Sequence, residues 1–223
     1  MMANGRDNGF PLWSKSANLF RKVGVHSQVC NPMDKKTAAI CVFCGSSEGG
    51  DPRYAAAARR LGELIAIRGF SLVFGGGGLG LMGVVARAVR DGGAPILGVM
   101  PDFLRGIEQP PEWEKELVIT PDLQLRKTRM LTEADAFVVL PGGPGTMDEF
   151  FEVVTSVQLG VLPKPIVLVD VAGYFKPLEA LLRHLVEHGF ARPQTLALYT
   201  TVRTADAAIE TVEVRLGLAE PAK

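Results

Sequence analysis

The chain has 223 residues, 47% hydrophobic and 22% charged, enough for one sizeable core. Lys plus Arg equals Asp plus Glu at 24 each, which excludes a global field drawing the protein toward nucleic acid or an anionic membrane; any phosphate recognition has to be local. No apolar run reaches bilayer length and no hydrophobic h-region follows the N-terminal basic residues, so a cytoplasmic protein without membrane or nucleic-acid partners is expected.

Residues 1–36 show neither helical nor alternating apolar spacing and are scattered with Gly, Asn and Pro, so they read as a flexible tail. Met33 is a candidate translation start, with a weak Arg- and Ser-containing transit peptide as the rival reading. From residue 37, AAICVFC predicts a strand, Asp51-Pro52 opens a helix, and SLVF predicts a second strand. A glycine loop and a helix through Arg90 follow, then strand APILGVM. A Pro-rich loop from Pro101 to Trp113 leads to strand ELVIT, a helix around Arg126 to Glu133 and strand AFVVL. An acid-rich helix, strand PIVLVD, a helix over 175–188, a short strand YTTV and a last helix complete the chain.

The strands are near-continuous Val, Ile, Leu and Phe, as expected when helices cover both faces of a parallel sheet. The alternation predicts a single α/β domain over 37–223: a Rossmann-like, doubly wound, mostly parallel sheet of about seven strands with helices on both faces. Ligands in such sheets bind at the carboxyl ends of strands, where the glycine loops of this chain fall.

Several local patterns compete for a role. Cys30, Cys41 and Cys44 are an odd, sparse set that agrees with a reducing compartment. Cys41 and Cys44 form a Cys-x-x-Cys, but in a strand residues three apart face opposite sides, so buried, inert thiols are expected. Gly75, Gly77 and Gly80 spell GxGxxG, yet this loop follows the second strand, and Asp102 comes slightly late for the ribose-binding acid of a nicotinamide site. A tight turn or a phosphate-adjacent loop is the preferred reading. No Lys-Ser or Lys-Thr follows either glycine loop, which argues against a P-loop NTPase. HLVEH, from His184 to His188, has the order of inverted zinc proteases; with His26 in the tail and no further ligand at hand, an amphipathic helix explains it and no metal is expected.

AFVVLPGGPGTMDEFFEVV, residues 136–154, sets an apolar strand against a bare loop and then an acid-rich helix. Thr146-Met147-Asp148-Glu149 fits a capping box, in which the threonine caps the helix and the glutamate reaches back. Capping alone leaves Gly142, Gly143 and Gly145 unexplained, since glycines here free successive N–H groups to point at one anion. Upstream, LQLRKTRML places Arg126, Lys127 and Arg129 on the helix before AFVVL, either as a solvated face or with one of them turned to the same sheet edge.

With LQLRKTRM followed by LPGGPGTMDE, the sequence resembles the LOG (Lonely Guy) family of cytokinin riboside 5'-monophosphate phosphoribohydrolases, sometimes labelled lysine-decarboxylase-like. The likeness runs through CVFCGSS, LVFGGGGLGLMG and QLGVLPKPIVLVDVAGYF, over about residues 38 to 210. It implies a homodimer or higher homo-oligomer that hydrolyses the N-glycosidic bond of a nucleoside 5'-monophosphate, without metal or cofactor. By motif matching, Arg126 and Glu149 are its catalytic pair. Lys127, Gly142, Gly143, Pro144, Gly145, Thr146, Met147 and Asp148 line the substrate site, with Thr155 a further contact and Glu108 a positional match in a variable loop. Leu123, Gln124 and Pro144 replace the Met, His and Tyr common in plant members, and SVQLG replaces WAQLG.

Glycosidic cleavage passes through an oxocarbenium-like state, so a carboxylate beside the sugar suits the growing charge. Glu149 is expected to stabilise that cation and to position or deprotonate water, and Arg126 to hold the substrate and steady the leaving purine. The 5'-phosphate is expected on the Gly142 to Thr146 amides. The alternative is a Rossmann-like nucleotide or cofactor carrier that binds without cleaving.

Overall fold

The computed structural model describes residues 37–105 and 113–220. The expected tail, Met33 and Glu108 lie outside the described residues. Strand β1 (Ala39–Phe43) sends Ile40 and Val42 into one apolar layer and Ala39, Cys41 and Phe43 into the other, the period of two that a sheet buried on both faces imposes. Cys44, just past the strand, packs in the first layer and Cys41 in the second. The two thiols therefore face apart, and burial, with the charge of Glu149 adding to it, pushes both well above the ordinary thiol range.

Helix α1 (Pro52–Ile67) starts where the Asp51 side chain accepts from the Arg53 amide at 2.9 Å, with Pro52 at the first helical position. Then come β2 (Ser71–Phe74), α2 (Gly80–Asp91), β3 (Ile96–Pro101) and β4 (Leu117–Thr120). Helix α3 (Leu123–Glu133) is capped by Asp122, which accepts from the Leu125 amide at 2.7 Å. The chain continues through β5 (Ala136–Val139), α4 (Pro144–Gln158), β6 (Ile166–Val169), α5 (Lys176–Glu187), β7 (Thr200–Val202) and α6 (Ala205–Arg215).

The strands form one sheet in the order β4-β3-β2-β1-β5-β6-β7, every neighbouring pair parallel. Buried residues of α1, α2 and α6 fill one layer, and those of α3, α4 and α5 the other. The Rossmann-like expectation is thus met, with an entirely parallel sheet. Strand order changes direction between β1 and β5, the switch point where such folds open a crevice. There the loops after the two strands touch: the Gly45 amide donates to the Pro141 carbonyl at 3.0 Å.

Candidate active site

Helix α4 begins at this switch point. Its N-cap is Gly143, with no side-chain cap bond, and Pro144 fills the first helical position. The expected capping box is therefore not formed: Thr146 is buried inside the first turn, and Glu149 turns to Arg126. The reason lies in Pro144, whose fixed φ suits a first helical residue and whose missing N–H has no partner to lose there. The cap falls three residues upstream of the threonine.

The amides of Gly143, Gly145 and Thr146 have no acceptor among the described residues, and the first turn carries no acid. An open helix N-terminus of this kind presents N–H donors and partial positive charge to an anion. The three glycines divide by role. A β-carbon on Gly142 would overlap the Thr146 hydroxyl and come within 2.8 Å of the Gly45 nitrogen, so packing demands glycine. At Gly143 and Gly145 a β-carbon would meet nothing within 4 Å, so these two leave space outside the protein's own packing. Tyr174 braces the turn, its hydroxyl donating to the Gly142 carbonyl at 2.6 Å.

Arg126, from the first turns of α3, reaches across the sheet edge. Its Nε donates to the Val99 carbonyl at 3.1 Å and its Nη1 to Glu149 Oε1 at 2.8 Å. The two side chains are 14% and 9% exposed, which makes this a largely buried ion pair. Burial raises the pKa of Glu149 above the ordinary carboxylate range; Arg126 opposes that rise without cancelling it. Glu149 Oε2 accepts no hydrogen bond from the described residues. One oxygen is anchored and the other is available to a ribose hydroxyl or a water.

The GxGxxG loop is explained by this arginine. Nη2 of Arg126 occupies the place of a β-carbon on Gly75, and Gly80, at φ +57°, lies against the Ser46 and Ser47 backbone. The Gly76 carbonyl accepts from the buried Trp113 Nε1 at 3.0 Å and the Gly78 carbonyl from Arg87 at 3.2 Å. Gly45, Gly75, Trp113 and Tyr174 thus shape the site although none of them stood among the expected site residues. Gly75 carried the GxGxxG spelling, and Gly45 and Tyr174 fell within the stretches of family likeness, whereas nothing local marked Trp113.

The other expected residues spread along α4. Lys127 bridges α3 to α4 through Asp148 at 3.0 Å and Glu152 at 2.9 Å, and these partners raise its pKa, the Glu152 hydrogen bond first. Met147 packs against the core layer beneath α4. Thr155 is exposed, about 9 Å along the helix axis from Glu149, and is not brought to the Arg126–Glu149 pair. Arg129 pairs with Glu133 on its own helix. A cavity of about 290 Å³ between Val157, Lys164, Leu198 and Arg215 sits by the C-terminal half of α4, away from these donors.

Residues 82–212 match the family described as "Possible lysine decarboxylase". The chain is 39% identical over 187 residues to a probable cytokinin riboside 5'-monophosphate phosphoribohydrolase of Oryza sativa subsp. japonica, LOGL2, covering 84% of this chain and 77% of the rice protein. It is 40% identical over 178 residues to the cytokinin riboside 5'-monophosphate phosphoribohydrolase LOG3 of Arabidopsis thaliana, covering 80% and 83%. Among solved structures, the molybdenum cofactor binding protein of Rippkaea orientalis superposes with a TM-score of 0.64 at 18% identity, over 82% of this chain and 99% of that one, a likeness of fold alone. With this extent of sequence identity, and with an arginine and a PGGxGTxxE glutamate meeting at the switch point, the chain belongs to the LOG family of phosphoribohydrolases.

Proposed function

We propose that the protein hydrolyses the N-glycosidic bond of adenine-type nucleoside 5'-monophosphates, AMP or cytokinin riboside monophosphates, releasing the free base and ribose 5-phosphate. The observation that carries this reading is the buried Arg126–Glu149 pair at 2.8 Å beside the open N-terminus of α4. Glu149 lies one turn, about 4.5 Å along the axis, beyond Thr146. A phosphate on the Gly143, Gly145 and Thr146 amides therefore leaves the attached ribose at the height of the carboxylate.

In the reaction the C1'–N bond breaks, its electron pair leaves with the base, and water oxygen bonds to C1'. Glu149 Oε2 stabilises the oxocarbenium-like sugar and orients the water, taking up its proton as the new bond forms. The departing base takes its proton from solvent water, and the proton held by Glu149 returns to solvent, which restores the carboxylate for the next turnover. Arg126 keeps its charge throughout, so it steadies the base and holds Glu149 rather than donating a proton. The chemistry of these groups calls on no metal. The same reading has Asp148, Thr155 and Glu108 as further contacts to the substrate, and a homodimer or higher homo-oligomer working in the cytoplasm.

The test is chromatography of products from a panel of nucleoside 5'-monophosphates, with the matching nucleosides as controls. Release of base from the monophosphates alone supports the reading. Equal cleavage of nucleosides removes the phosphate cradle, and tight binding with no free base makes the protein a carrier.

A further inference from the structure

We infer that His184, Glu187 and His188 form a surface site for a borderline divalent cation, Zn²⁺, Cu²⁺ or Ni²⁺, at the C-terminal end of α5. The site is independent of the proposed hydrolysis. His184 and His188 are four residues apart and share one face of the helix, with ring centroids 3.9 Å apart. One donor atom from each of the two histidines and from Glu187 lies within 4.8 Å of the other two, and all three residues are exposed. A tetrahedral ion with bonds of about 2.1 Å wants donors roughly 3.4 Å apart. Exposed side chains on one turn close that gap by small rotations about χ angles, with no shift of backbone.

Three features separate this cluster from a solvated helix end. His188 Nδ1 lies 3.0 Å from the His184 carbonyl oxygen. A carbonyl only accepts, so the ring donates from Nδ1 and its Nε2 lone pair points away, the orientation that second partners impose on metal-binding histidines. The cluster closes a helix whose last carbonyls concentrate negative potential, which favours a cation. Among the described residues no cation pairs with Glu187, while the other carboxylate of α5, Glu179 in its first turn, is taken by Arg183. Leu178 and Leu182 are buried and fasten the opposite face of α5 to the core, so the three donors stand on a fixed platform.

Two imidazoles and one carboxylate suit Zn²⁺, Cu²⁺ and Ni²⁺ rather than Mg²⁺ or Ca²⁺, which prefer oxygen alone. Three ligands from one helix leave a tetrahedral position to water. Helix α5 starts beyond the carboxyl end of β6 and runs back along the sheet for about 18 Å, so the cluster lies toward the edge opposite Arg126 and Glu149.

Calorimetric titration of the full-length chain with ZnCl₂ tests the site. One Zn²⁺ per chain is expected, together with a raised Tm, and MgCl₂ gives no saturable heat. A His184→Ala/His188→Ala variant should bind at least ~10-fold more weakly while keeping its circular dichroism and its base release from AMP. A His26→Ala/Cys30→Ser variant should bind as the parent does, since its changes lie outside the cluster. Absence of saturable Zn²⁺ binding, unchanged affinity in the double histidine variant, or loss of binding in the His26/Cys30 variant overturns the assignment. The readout does not depend on catalysis, so an inactive protein that binds Zn²⁺ leaves the site standing and sinks only the proposed function.

Discussion

The guanidinium of Arg126 fills the space that a β-carbon on Gly75 would need, so a glycine in the loop after β2 and an arginine on α3 form one unit. The loop's glycines accommodate a cation here, where a dinucleotide fingerprint would accommodate pyrophosphate. Gly75→Ala should leave the sheet intact, because the overlapping atom is the far end of a flexible side chain. It should also push Arg126 off Glu149. Displacing a positioned group by about an ångström costs on the order of 100-fold in rate. The expected outcome is a kcat for AMP cleavage close to that of Arg126→Ala, with a loss of Tm no larger than that variant's; an unimpaired Gly75→Ala enzyme would separate the loop from the chemistry.

Glu149 sets the pH dependence. Its pKa is raised in the folded protein, chiefly by burial, so its proton is held more tightly folded than unfolded. The stability contribution of that carboxyl is fully present below the unfolded pKa and is lost as pH rises through the folded one. The rate runs the other way, because only the ionised form stabilises the sugar cation. Wild-type kcat/KM should therefore rise with pH along an acid limb placed above the ordinary carboxylate range. Glu149→Gln should lack that limb, lose at least ~100-fold in kcat, and gain in stability relative to wild type as pH increases through the same window. Paired pH–rate and pH–Tm profiles of the two proteins check both signs.

Removing the other partner is harsher on the fold. Arg126→Ala strands a buried carboxylate whose opposing charge is gone, and breaking such a pair from one side typically costs about 3 kcal/mol. The double variant Arg126→Ala/Glu149→Gln retains neither charge and should recover a good part of that loss in urea unfolding, while staying inactive. If the single and double variants unfold together, the pair does not couple in the folded state.

The strands were legible because each is a short, almost unbroken apolar run between turn residues, a signal that survives without knowledge of partners. Arg126 and Glu149 were legible as motif positions. Their contact was not, since it depends on α3 and α4 packing on the same face of β1 and β5, a matter of strand order rather than local spacing. The same gap misread Thr146 as a cap. A threonine followed three residues later by glutamate satisfies the local rule, but Pro144 starts the helix earlier and a partner 23 residues away in sequence claims the glutamate. Gly75 carried a recognisable pattern whose meaning was set by a side chain from another element.

Gly145 offers the sharpest separation of binding from stability. It sits in the first turn of α4, where a β-carbon meets nothing within 4 Å and the turn carries no acid. An aspartate there interacts favourably with the helix dipole by about 0.3–1 kcal/mol, so Gly145→Asp should fold at least as well as the parent. The same negative charge occupies the position proposed for the 5'-phosphate and repels it. The expected result is an unchanged or slightly raised Tm with a KM for AMP increased at least ~10-fold, an energy of about 1.4 kcal/mol. Gly145→Asn, close in size and uncharged, should lie between the two. A Gly145→Asp enzyme with parental KM would place the phosphate elsewhere, because no anion tolerates a carboxylate among its own three amides.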